Sequence, residues 1–247
     1  MSGEHRVRLS PRVFDRQFER FKSLVRAESG EDFASFDRGL PAQWEAYKTI
    51  VHSTALDHLV PHRWKERHIG TGSILEKAIR AIEVDLRQGA RNNLVAWENR
   101  YGDERRAHFP LLRARTDRAS REAFESVLFR FFHDLESPRD AFEAFRALAG
   151  DRYDLIAYLF FLKDWTRFMP IKTTTFDKAF AALGIGLKTA RHCSWDNYSQ
   201  YCTALLDVMG ALRHVAGQES VRLLDAHSFC WLLVRLKPRT PFRRFCP

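Results

Sequence analysis

Residues Ala182 to Tyr198 read ALGIGLKTARHCSWDNY. Within them Gly184-Ile185-Gly186-Leu187-Lys188-Thr189 puts two glycines and a lysine in a poorly helical turn between helix-like segments. Glycine lets a backbone come close to another group, and a lysine beside it favours an anion as that group. A plain glycine stop between two packed helices answers the same pattern. On the C-terminal side, Ser194 in CSWDNY is placed to cap a helix, with Trp195 and Tyr198 packing inward.

Outward from this stretch, helical periodicity dominates. Ile74, Leu75, Ala78, Ile82 and Leu86 recur at helix spacing. So do Phe124, Val127, Leu128, Phe131 and Leu135, and again Tyr198, Tyr201, Cys202, Leu205, Met209, Leu212 and Val215. Ser137-Pro138 followed by Asp140 is a helix start with proline in the first turn. Alternating β-branched runs are nearly absent, so the expected fold class is all-α. Helices are expected near 11–28, 41–59, 73–88, 118–135, 138–149, 151–163, 174–183, 195–216 and 226–236. Residues 89–117 form the longest unpatterned stretch, and loops of that length are often functional. The expected organisation is one globular unit over 1–247, with a helical part at 1–117, a second part at 118–236 and a basic tail at 237–247.

Composition narrows the partner. The 247 residues are 45% hydrophobic and 29% charged, enough for a real core. A net charge of +9, carried mostly by arginine, favours a polyanion, and nucleic acid ahead of a membrane surface. No apolar run reaches the ~18 residues of a membrane span. MSGEHRVRLSPRVF lacks the apolar stretch of a secretory signal, so a cytoplasmic monomer is expected. Cys193, Cys202, Cys230 and Cys246 form no C-x-x-C pair, which argues for reduced thiols rather than a metal or disulfide framework. The histidines make no H-E-x-x-H motif, and His52, His58, His62 and His68 do not share a helix face. GIGLKT lacks the full G-x-x-x-x-G-K-[ST] pattern. Neither a metal nor another cofactor is called for.

The turn GIGLKT resembles the glycine-rich hairpin of helix-hairpin-helix DNA glycosylases, roughly L-P-G-V-G-x-K-T-A, with Leu183 where that family has proline. The resemblance implies that backbone N–H groups at Gly184 and Gly186, with the N-terminus of the next helix, grip a DNA phosphate. LLDAHSFCWLL, Leu223 to Leu233, resembles the family's V-D-T-H segment. Asp225 then faces the sugar of an extruded nucleotide, His227 is the matching histidine, and Lys188 is an amine nucleophile or a phosphate ligand. A carboxylate there stabilises the cationic sugar formed as a glycosidic bond breaks. The competing reading is that Asp225 caps the helix that follows. Lys188 and Asp225 lie further apart than in compact family members, which implies an inserted helix or an accidental likeness. Over roughly residues 90–233 the chain also resembles a prokaryotic group of phage-defence glycosylases that excise hypermodified cytosines, such as glucosylated hydroxymethylcytosine.

Other segments offer alternatives. In FLKDWTRFMPIKTTTFDKAF, Lys163-Asp164 ends an apolar helix as a second candidate catalytic pair or a simple helix-end ion bridge. In NNLVAWENRYG, Asn92 and Asn93 have the donors and acceptors to read a base edge, and Trp97 can stack on a flipped base. Arginines of 105–121, with Arg243 and Arg244 of the tail, are the expected phosphate contacts. The favoured reading is a glycosylase acting on double-stranded DNA. Its rival is a non-catalytic nucleic-acid-binding module of a defence system.

Overall fold

A computed structural model describes residues 9–86, 90–216 and 220–237. Its helices are α1 (Pro11–Ser29), α2 (Gly39–Glu45), α3 (Tyr47–Leu59), α4 (Ser73–Ile82), α5 (Phe109–Ala114) and α6 (Arg118–Phe132). They continue with α7 (Pro138–Ala149), α8 (Tyr153–Lys163), α9 (Thr173–Ala182), α10 (Trp195–Ala216) and α11 (Leu223–Arg235). Strands β1 (Asp85–Leu86) and β2 (Ala90–Arg91) pair antiparallel, Asp85 opposite Arg91. Helix makes up 66% of the chain, so the all-α class holds. No described helix is long and apolar enough to cross a membrane.

The structure differs locally from the sequence reading in three places. The helix expected over 41–59 is two, α2 and α3, meeting at Ala46. The helix expected over 73–88 ends at Ile82, whose carbonyl accepts a hydrogen bond from the Asn92 side-chain amide at 2.7 Å. The 89–117 stretch is not structureless. It contains β2, a 3₁₀ turn at Asp103–Arg105 and α5, which opens with Pro110 in its first turn.

Two compact units interleave along the chain. One comprises the residues up to Ala46, Thr175–Leu187 and those from Ala204 onward; the other comprises Tyr47–Thr174 and Lys188–Thr203. In the first, α1 packs on α2 and α11. Phe14, Phe18 and Phe21, at i, i+4 and i+7, present one face, and Phe229 of α11 meets all three rings at 5.6, 6.2 and 5.1 Å. Such offset and edge contacts add about 0.5–1.5 kcal/mol each beyond area burial.

The second unit is built around α8, YDLIAYLFFLK, buried from Leu155 to Leu162. A helix apolar on every side belongs inside a core. It packs against α3 and α7, and Phe160 meets Phe131, Phe142, Phe168 and Tyr198 at 4.5–5.8 Å. Two buried polar side chains of this unit are fully engaged. The Tyr158 hydroxyl donates to the Ala81 carbonyl at 2.8 Å, and fully buried Glu125 accepts from the N–H groups of Gly72, Ile74 and Leu75 at the start of α4.

Candidate functional site

The chain leaves α8 through Phe168-Met169-Pro170-Ile171 before α9 begins. Pro170 cannot continue a helix, and two tyrosines of α10 hold the segment in place. Tyr198 donates its hydroxyl hydrogen to the Met169 carbonyl at 3.0 Å, and Tyr201 to the Pro170 carbonyl at 2.7 Å. The residues that follow, Ile171, Lys172, Thr173 and Thr174, form one wall of a cleft of about 300 Å³. Asp151, Tyr153 and Asp154 at the start of α8 form the second wall, and Arg191 and Cys193 complete the lining. All of these residues belong to the second unit.

Hydrogen bonds fix the remaining sides. The buried Thr189 hydroxyl donates to the Thr173 carbonyl at 3.3 Å. Asn197 accepts from the Tyr153 hydroxyl at 3.0 Å and donates to the Lys188 carbonyl at 2.8 Å. Ser194 accepts from the Asn197 N–H at 3.2 Å, the cap expected from its sequence. The chemistry of the cleft rests on Lys172 Nζ, 3.8 Å from Asp154 Oδ2, both about one-third exposed. Arg191 holds φ at +65°, a strained value for a residue other than glycine. Burial first, then the nearby Asp151 carboxylate, push the Cys193 thiol up to about 12, which disfavours the nucleophilic thiolate. Among the described residues no cluster of three or more His, Cys, Asp or Glu is placed to hold a metal ion.

The residues singled out in the sequence are dispersed. In the first unit, Asp225 is 5% exposed and engaged by Arg222 on three sides. The Arg222 N–H donates to Oδ2 at 2.7 Å, and the guanidinium donates to Oδ2 and Oδ1 at 3.1 and 2.9 Å. The same guanidinium reaches Asp37 at 2.9 Å. Asp225, at the third position of α11, thus ties the N-cap residue Arg222 to the helix's first turn. His227 is buried, its ring 4.8 Å from that of Phe176.

The glycine turn has the hydrogen bonds of a helix stop. Gly184 N–H donates to the Ala181 carbonyl at 3.2 Å and Ile185 N–H to the Phe180 carbonyl at 2.8 Å, a Schellman closure of α9. The left-handed backbone falls at Gly184, φ +73°, rather than at Gly186, which is exposed. The next helix begins at Trp195, as expected from the sequence, several residues along the chain from these glycines. Lys188, in the second unit, is exposed and its ammonium has no partner among the described residues.

Lys163 and Asp164 do not act as a pair. The Lys163 ammonium binds the Phe132 carbonyl at 3.0 Å and Asp134 at 2.8 Å, whereas Asp164 accepts from the N–H and hydroxyl of Thr166 at 3.0 and 2.6 Å. Asn92 is buried with both ends of its amide used, donating to Ile82 and accepting from Leu94 N–H at 3.0 Å. Its backbone carbonyl accepts from the Trp97 indole at 2.9 Å, and Arg91 covers the Trp97 ring at 5.3 Å. Of this group only Asn93 is exposed and uncommitted. Arg106 is spent on Glu83 and the Trp97 carbonyl, Arg115 on Glu76, and Arg121 on the carbonyls of Gly70 and Arg115. Arg243 and Arg244 lie outside the described residues.

Sequence reasoning missed Asp154, Lys172 and Arg191. Lys172 stood inside the motif that offered Lys163-Asp164, and Arg191 just beyond GIGLKT. The available signal was Pro170 before Ile171-Lys172, which presents a lysine on a turn instead of on a helix end. Comparison with family models, curated proteins and solved structures found no match.

Proposed function

We propose that this protein is a DNA N-glycosylase acting on a modified base, with the second unit's cleft receiving the extruded nucleotide. The observation that carries the reading is the Asp154–Lys172 pair, 3.8 Å apart in a concave polar site. Its volume is at the lower end of those that hold small ligands. As the C1′–N bond breaks, its electron pair leaves with the base and positive charge grows on the sugar. Asp154 stabilises that charge and Lys172 orients the carboxylate. Water adds hydroxide to C1′ and its proton goes to the departing base, leaving an abasic site. Thr173, Thr174 and Arg191 supply donors for the nucleotide's oxygens. The net charge of +9 favours the DNA partner, and extrusion is required because the bond is shielded in the stacked duplex.

The cytosine bases modified in phage DNA, expected from the sequence resemblance, are the first substrates to test. Incubation with duplexes carrying plain or hypermodified bases, followed by mass spectrometry of the free bases, should detect release from at least one modified duplex. DNA bound but left intact across the panel would instead identify a binding module.

A further inference from the structure

Between α3 and α4 the chain reads VPHRWKERHIGTG, Val60 to Gly72. Two 3₁₀ turns, Pro61–Arg63 and Glu66–His68, close through Trp64 N–H to the Pro61 carbonyl at 3.0 Å and Ile69 N–H to the Glu66 carbonyl at 3.0 Å. Between them Trp64 is 3% exposed, donates its indole N–H to the Leu59 carbonyl at 2.9 Å and packs edge-on against Phe132 at 5.5 Å. His68 Nδ1 accepts from the Lys65 N–H at 3.2 Å.

The residue that opens this segment is strained. Val60 holds φ +44° and ψ +55°, left-handed backbone for a β-branched side chain immediately before proline. Such a conformation costs free energy and persists only when its surroundings over-determine it, as the Trp64 anchor does here. The result is a rigid platform from which Arg63, Lys65 and Arg67 stand exposed. None of the three has an ion pair or side-chain hydrogen bond among the described residues, and Glu66 is the one acid between them. Arg115 just after α5, bound to the Glu76 carboxylate, and Arg121 of α6, bound to the carbonyls of Gly70 and Arg115, contrast with them.

We propose that the Pro61–His68 turn is a phosphate-gripping element through which the protein holds the backbone of nucleic acid, with Arg63, Lys65 and Arg67 as its contacts. Cations on a pre-set backbone lose less conformational freedom on binding than cations on a mobile arm. The proposal rests on the nucleic-acid reading given above, but not on base excision.

The test is equilibrium binding of a short DNA duplex between about 50 and 200 mM salt. It compares the parent protein with the Arg63→Gln, Lys65→Gln, Arg67→Gln triple variant. The triple variant should melt with the parent, bind at least ~10-fold more weakly at the low-salt end and show a log-affinity slope against log salt shallower by about 2–3. The three single variants, each expected to lose about 0.9 of that slope, replace it if it does not fold. An unchanged slope and affinity overturn the proposal, and so does a parent that shows no salt-dependent binding. If the slope falls as expected but no modified duplex loses a base, the glycosylase reading fails and the gripping turn stands.

Discussion

Asp225 illustrates how one side chain can satisfy two descriptions of a sequence. A carboxylate in the first turn of a helix fits a catalytic V-D-T-H-like segment and a helix cap equally well. Burial and the three contacts from Arg222 favour the cap. Asp225→Asn removes the charge from these bonds, and stability in urea should fall by about 1.5–3 kcal/mol, the worth of a hydrogen bond to a charged group. A loss of turnover at unchanged stability would return Asp225 to the chemistry. Asn92 is open to two descriptions for a related reason: the amide that can read a base edge also matches the backbone groups freed at a helix end, and here it is bonded to one, the Ile82 carbonyl. His52 yields a pH expectation. It is buried, stacked on Trp165 at 4.6 Å, and burial holds its imidazole below the ordinary value of 6.5. The unfolded chain therefore takes up this proton first as pH falls, so this contribution is present above 6.5 and is lost on going lower. Thermal melts should show a decline from neutral pH to mild acid that is smaller in His52→Phe.

At the scale of elements, the turn after α9 separates what spacing reveals from what it does not. The two glycines and the helix break are visible in the sequence. Which glycine carries the left-handed backbone is set by the Schellman hydrogen bonds, and these depend on where α9 ends. Gly184→Ala places a Cβ 3.7 Å from Val13, ordinary contact distance, so its cost is conformational: about 1–2 kcal/mol of stability. Gly186→Val should cost less, and equal losses from denaturant titrations of both proteins would contradict the assignment. Most helices were legible from apolar period, α5 being the exception, and their ends were legible where a capping serine marks them, as at Ser137 and Ser194, but not everywhere. The Ile82 stop depends on an amide ten residues away, and the α2–α3 break lies inside one continuous apolar pattern.

At the scale of the whole molecule, the fold class follows from the period of the apolar residues, and the interleaving of two units does not. Segments far apart in sequence share a unit because of which faces are apolar, and short motifs carry no record of that. The cleft was hidden for the same reason. Asp154, Lys172 and Arg191 come from three separate segments joined by Tyr198, Tyr201, Thr189 and Asn197, which look in sequence like ordinary core and turn residues. The central claim is that this cleft performs base excision. Its most direct test is single-turnover base release from the modified duplex that the parent protein accepts, measured for Asp154→Asn. The expected result is a loss of about 10²-fold or more, with folding and duplex affinity retained. Release at the parent rate would contradict the account.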